Sequence, residues 1–145
     1  MRELLLEGLE EGYFRKAWHG PTLRGALRGV TPELATWRPA PRRHNIWELT
    51  VHCAYWKYAV RRKLTGHASF PRKGRNWFAL PEPTNEAWKT DLQLLADEHS
   101  ALREAVASLP PSQLERSVRI IRGAAYHDVY HAGQIQFIKR LFADR

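Results

Sequence analysis

Apolar residues recur at every third or fourth position over long stretches of this 145-residue chain, and no useful length of it alternates apolar with polar. A spacing of three and four turns one face of an α-helix toward a core, whereas a half-buried strand needs a period of two. The second segment shows the pattern most clearly, with Ile46, Leu49, Cys53, Trp56, Val60 and Leu64 in its stripe. Asn45 is a good N-cap, Glu48 three residues later completes a capping-box pattern, and Gly66 is a suitable stop. A third segment runs from about Asn85 to Ser108, with Trp88, Leu92, Leu95, His99, Leu102 and Val106 in its stripe, and Pro110-Pro111 ends it. A fourth occupies roughly Ile120 to Phe142. The first runs from about Arg2 to Arg28 and is broken near Gly20-Pro21, because proline is not tolerated in a helix interior. Thr31-Pro32-Glu33 reads as a short capped turn, and Pro39 and Pro41 mark a loop. The expected fold is all-α, a four-helix bundle in a single domain spanning residues 1–145.

Residues 67–83 form a long connection that holds Pro71, Gly74, Pro81 and Pro83 together with Phe70, Trp77, Phe78 and Leu80. Connections of this length are usually functional or disordered, and the aromatic content argues for packing, so a folded loop that covers a pocket or extends the core is expected.

Composition excludes several classes. The only cysteine, Cys53, rules out an intrachain disulfide. Glu3, Glu7, Glu10 and Glu11 interrupt the apolar patch at the start, so no signal-peptide core forms, and no apolar run approaches the ~20 residues of a membrane span. The expectation is a cytoplasmic protein. The net charge of +8 suits an anionic partner, yet the basic residues are scattered in short clusters such as Arg42-Arg43 and Arg61-Arg62-Lys63. No nucleic-acid motif accompanies them, so nucleic-acid binding is not the expected primary role.

The strongest chemical signal is His127-Asp-Val-Tyr-His131. Residues four apart share a helical face, so both imidazoles can reach one ion. The stripe of this helix reads Ile120, Ala124, His127, His131, Ile135, Ile138, Phe142, which places both rings where leucine would be expected. Two inward polar rings are costly without partners, and a shared metal removes that cost. His52 borders the inward stripe of the second helix and would complete a set of three nitrogen ligands, the arrangement of sites that keep a coordination position open. Cys53 follows at once, but adjacent helical residues point about 100° apart, so it reads as core. Asp128 points off the His127 face and reads as a supporting or surface residue. Glu48 lies one turn before His52 and is a candidate general base or orienting group, or simply the partner in the capping box. Trp56, Trp77 and Tyr130 are candidates for lining the cleft. His19, His44 and His67 read as turn or loop residues, and His99 as a buried, hydrogen-bonded core histidine.

The segments HNIWELTVHCAYWKYAVRRKLTG (44–66), NWFALPEPTNEAW (76–88) and YHDVYHAGQIQFIKRL (126–141), with WHGPTLRGAL (18–27), resemble the DinB/YfiT-like superfamily over nearly the whole chain. The Ile-Trp-Glu-Leu…His and His-x-x-x-His-Ala-Gly-Gln blocks together carry the resemblance. It implies a bundle in a variant of up-and-down topology and a divalent metal, nickel, zinc or iron, held at positions that fall on His52, His127 and His131. It also implies a homodimer and, in some relatives, hydrolase activity or S-transfer with a low-molecular-weight thiol. Two rival readings stand beside the enzyme: a non-catalytic metal-stabilised bundle that binds a small molecule or partner protein, and a nucleic-acid binder that uses the positive charge.

Overall fold

The computed structural model describes residues 1–145, and its named elements are all helices, with one isolated bridge between Ala17 and Gly20. Its elements are α1 (Arg2–Tyr13), α2 (Leu23–Ala26), α3 (Pro32–Thr36), α4 (Ile46–Thr65), α5 (Asn85–Ser108) and α6 (Pro111–Ala143). The four long helices form the core bundle: α1 packs on α6 and α5, and α4 packs on α5 and α6. The two short helices supplement it, α2 against α6 and α3 against α4, so six helices stand where the sequence suggested four.

Local chemistry explains the boundaries. Asn45 and Glu48 make the full reciprocal capping box at the start of α4, and Gly66 ends it in the left-handed conformation. The first segment, expected to break near Gly20-Pro21, stops sooner, at Tyr13, where the N–H groups of Phe14 and Arg15 both donate to the Glu10 carbonyl. The chain restarts at Leu23 behind a Thr22 cap, and Thr31 caps α3 with Pro32 in its first turn. The last helix begins at Pro111 rather than near Ile120. Proline at the first helical position lacks only an N–H that would be unpaired anyway. The early turns escape a periodicity reading because they are largely polar, with Leu114 alone fully inward before Ile121.

Burial departs from the expected stripes where a helix is covered on more than one side. Along the first half of α4 every residue from Trp47 to Ala54 except Glu48 is buried, whereas Trp56 is exposed. The apolar core falls into two clusters of 19 and 10 buried residues. The larger holds Ile46–Ala54 positions of α4, Trp88 and Leu95 of α5, and Ala132, Ile135 and Ile138 of α6. The smaller holds Leu64, Leu102, Val106, Ile121, Ala124 and Ala125. Between them along α4, α5 and α6 lie Lys57, His99 and Asp128, all buried, so a polar layer crosses the bundle.

α1 approaches α6 closely at Gly12, where a Cβ would stand 2.8 Å from the Ala125 carbonyl oxygen. Backbone cannot yield there as a side-chain tip would. Gly12→Val is expected to lower stability by about 1–3 kcal/mol, measured by urea unfolding, whereas Gly8→Ala, with open space around it, is expected to be neutral or stabilising. Equal stability of Gly12→Val and the parent chain would contradict this packing.

Candidate metal centre

α4 and α6 bring His52, His127 and His131 together. His127 Nε2 lies 3.1 Å from His52 Nε2 and 3.1 Å from His131 Nε2. His52 and His131 are buried, and His127 is half-buried at the mouth. The other ring nitrogens face outward onto acceptors. His52 Nδ1 donates to the Asn76 carbonyl at 2.9 Å, and His131 Nδ1 donates to Gln134 Oε1 at 2.7 Å. The Gln134 amide is itself held, its Nε2 donating to the Tyr130 hydroxyl at 3.3 Å.

These acceptors fix the protons. A neutral imidazole carries one N–H, and in His52 and His131 it sits on Nδ1, which leaves both Nε2 atoms as bare lone pairs. His127 can supply at most one proton, to one of them. At least one of the two 3.1 Å contacts therefore has no proton in it, and a cation between the nitrogens would relieve it. The rings are neutral: burial, ahead of smaller charge effects, pushes His52 down to about 4 and His127 down to about 3, and lowers His131 as well. The donor set fits a divalent ion. Three imidazole nitrogens at about 2.0–2.1 Å from one ion lie about 3.0–3.4 Å apart, close to what the apposed rings show.

An aromatic wall surrounds the cluster. Trp77 stacks on His52 with ring centroids 4.0 Å apart, and His44 stacks on the far face of Trp77 at 3.5 Å. Trp56 stands edge-on to His52 and His127, and Tyr130 edge-on to His131. All three residues expected to line a cleft are in place. The connection 67–83 is a folded loop: Phe70 and Phe78 pack on Tyr55, and Arg72 pairs with Asp91, which also accepts from the Trp47 indole N–H. Asn76 is its clamp on the site. Its backbone is left-handed, at φ 67, a region that asparagine tolerates better than most residues. Its carbonyl holds His52, and its side-chain oxygen accepts the Trp56 indole N–H at 2.9 Å.

Several residues differ from their sequence reading. Asp128 is not on the surface. It is completely buried and paired with Lys57, itself 1% exposed and unremarked in the sequence because a lysine on an apolar face usually reaches solvent. Lys57 Nζ also lies 3.4 Å from His99 Nδ1, while His99 Nε2 has no partner at all. Cys53, His127 and Asp128 form a second set of close donors. Burial pushes the Cys53 thiol well up and Lys57 occupies Asp128, so this set is the poorer host for an ion. The Glu48 carboxylate accepts from the Asn45 N–H, from Arg38 through two guanidinium nitrogens, and from His44. Burial acts to raise it, but these donors prevail and hold it below its ordinary range. Asn76 and Gln134 were not singled out. Gln134 had a signal, being one turn beyond His131 on the same face; Asn76 had only the turn-forming character of Gly74 and Asn76 before Trp77.

A family model of the DinB superfamily matches residues 14–136. The chain belongs to the DinB superfamily. Neither a curated protein nor a solved structure matches it. No helix of this DinB-superfamily chain is long and apolar enough to cross a membrane.

Breaking a buried ion pair from one side leaves a lone charge in the core and costs about 3–5 kcal/mol. Lys57→Met is therefore expected to destabilise the protein by that order, and Lys57→Met with Asp128→Leu to recover most of the loss in chemical denaturation. A double variant as unstable as the sum of its two single changes would contradict the pairing.

Proposed function

We propose that the chain, folded as one helical unit, is a metal-dependent enzyme of the hydrolase or thiol S-transferase type, its ion of nickel, zinc or iron held by His52, His127 and His131. The observation that carries this reading is the convergence of three neutral imidazole nitrogens that share at most one proton. Three protein donors leave further coordination positions for reactants, as in catalytic rather than structural sites. When bound, such an ion supplies Lewis acidity, which lowers the pKa of a coordinated water or thiol to give a nucleophile near neutral pH.

The chain's own residues do the rest. Asn76 and Gln134 hold the rings with their lone pairs inward, and Trp77 and Trp56 keep bulk water from His52. Glu48 enters as a positioning residue. Arg38 and the Asn45 N–H already engage its carboxylate, and it steadies His44 against the Trp77 stack. The partially exposed His127 marks the side from which a small substrate enters.

Untagged protein is expected to take up one equivalent of divalent metal by elemental analysis, and the His52→Ala/His127→Ala/His131→Ala variant none. Metal-loaded protein is then expected to turn over a thiol or activated ester, which the variant does not; metal without turnover would favour a non-catalytic bundle. Protons compete with the ion for the same nitrogens. Because His52 and His127 titrate near 4 and 3, metal is expected to stay bound as the pH falls through 6 and to leave toward 4. Release centred at the ordinary histidine pKa of about 6.5 would contradict the burial argument.

The proposal extends to a homodimer. Tyr126, Tyr130, Phe137 and Leu141 lie on α6 at helical spacing, and all four are exposed, the first three by more than 60%. Such an exposed apolar stripe supports an interface with a second copy of the chain. Light scattering at micromolar concentration is expected to give a dimer mass, and Phe137→Glu a monomer. A monomeric parent chain would refute this.

A further inference from the structure

A cavity of about 1340 Å³ lies away from the imidazole cluster; none of the three histidines lines it. It lies between the end of α1, the α2 segment and α5. Arg24, Arg28 and Lys89 line it, and no aspartate or glutamate does. None of these three cations makes an ion pair. Unpaired cations gathered at one cavity, with no carboxylate among them, make a field that attracts an anion.

His99 supplies an independent observation. It lines the same cavity, is 4% exposed, and stacks on Tyr13 with ring centroids 4.1 Å apart. Lys57 beside its Nδ1 has protons to give and no lone pair, so Nδ1 accepts and the ring proton sits on Nε2. That N–H is the one buried side-chain polar atom in the molecule without a partner. Buried donors are almost always satisfied, and this one, sealed from solvent in the wall of the cavity, is not. The aromatic and apolar residues around it, among them Tyr13 and Trp88, provide surface for more than a bare inorganic ion.

We propose that this cavity binds a small organic anion, a carboxylate or phosphate on a flat apolar body, with its oxygens taken by Arg24, Arg28 and Lys89 and its apolar body beside Tyr13 and Trp88. The site is separate from the metal centre and does not depend on the reading of that centre. Lys57 nonetheless joins His99 to Asp128, the neighbour of His127, so the two sites share the buried polar layer.

The test is calorimetric titration of the full-length protein with 2-naphthoate, 2-naphthyl phosphate and neutral 2-naphthylmethanol. One equivalent of at least one anion is expected to bind, at least tenfold more tightly than the alcohol; the tighter anion identifies carboxylate or phosphate as the preferred group. The folded Arg24→Gln/Arg28→Gln/Lys89→Gln variant is expected to lose at least tenfold for the anion and little for the alcohol. The three-alanine variant of the metal centre is expected to bind as the parent does. Absence of saturable binding, unchanged affinity in the glutamine variant, or loss of binding in the three-alanine variant would overturn the proposal.

Discussion

The structure turns on where two protons sit. Asn76 and Gln134 accept from the Nδ1 atoms of His52 and His131, and this leaves two bare Nε2 lone pairs aimed at His127. Burial keeps the rings from relieving the contact by taking up a proton, because a charged imidazole in that environment costs more than a neutral one. The bundle must hold mutually repelling nitrogens together with packing from elsewhere. That packing comes from the two apolar clusters on either side and from the loop that lays Trp77 across His52. The site is thus a local departure from an apolar core, of the kind that functional sites impose on otherwise consistent folds.

The polar layer extends this departure across the bundle. Lys57, His99 and Asp128 stand between the apolar clusters on three different helices. A buried ion pair is weak evidence for stability, since well-packed apolar residues often do as well. It stands beside His127 on α6, at the level of the cluster. Gly12 of α1 packs against Asp128 from the other side, which is why that helix can come so near.

Much of this was legible in the sequence. The capping box at Asn45 and Glu48, the full extents of α4 and α5, and the convergence of His52, His127 and His131 follow from spacing and cap chemistry. The misreadings share a physical cause. Periodicity assigns one inward stripe per helix, and α4 is covered on several sides, so Lys57 went unremarked and Trp56 was placed inside. Asp128 was read as a supporting or surface residue because a charge beside an inward histidine often reads as solvated, and its partner lay 71 residues away on α4. The early stop of α1 and the early start of α6 depend on local caps and a tolerated proline that interrupt or outrun the apolar pattern. Asn76 reaches the centre through a left-handed backbone in a loop, which no spacing rule anticipates.

The account stands on the tautomers of two rings, and these are directly observable. A long-range proton–nitrogen correlation spectrum of the imidazoles in metal-free protein at pH 7 should show His52 and His131 protonated at Nδ1 and bare at Nε2. Added zinc should then shift the Nε2 resonances of His52, His127 and His131 together at one equivalent. Protons found on Nε2 of both His52 and His131, with no change on adding zinc, would contradict it.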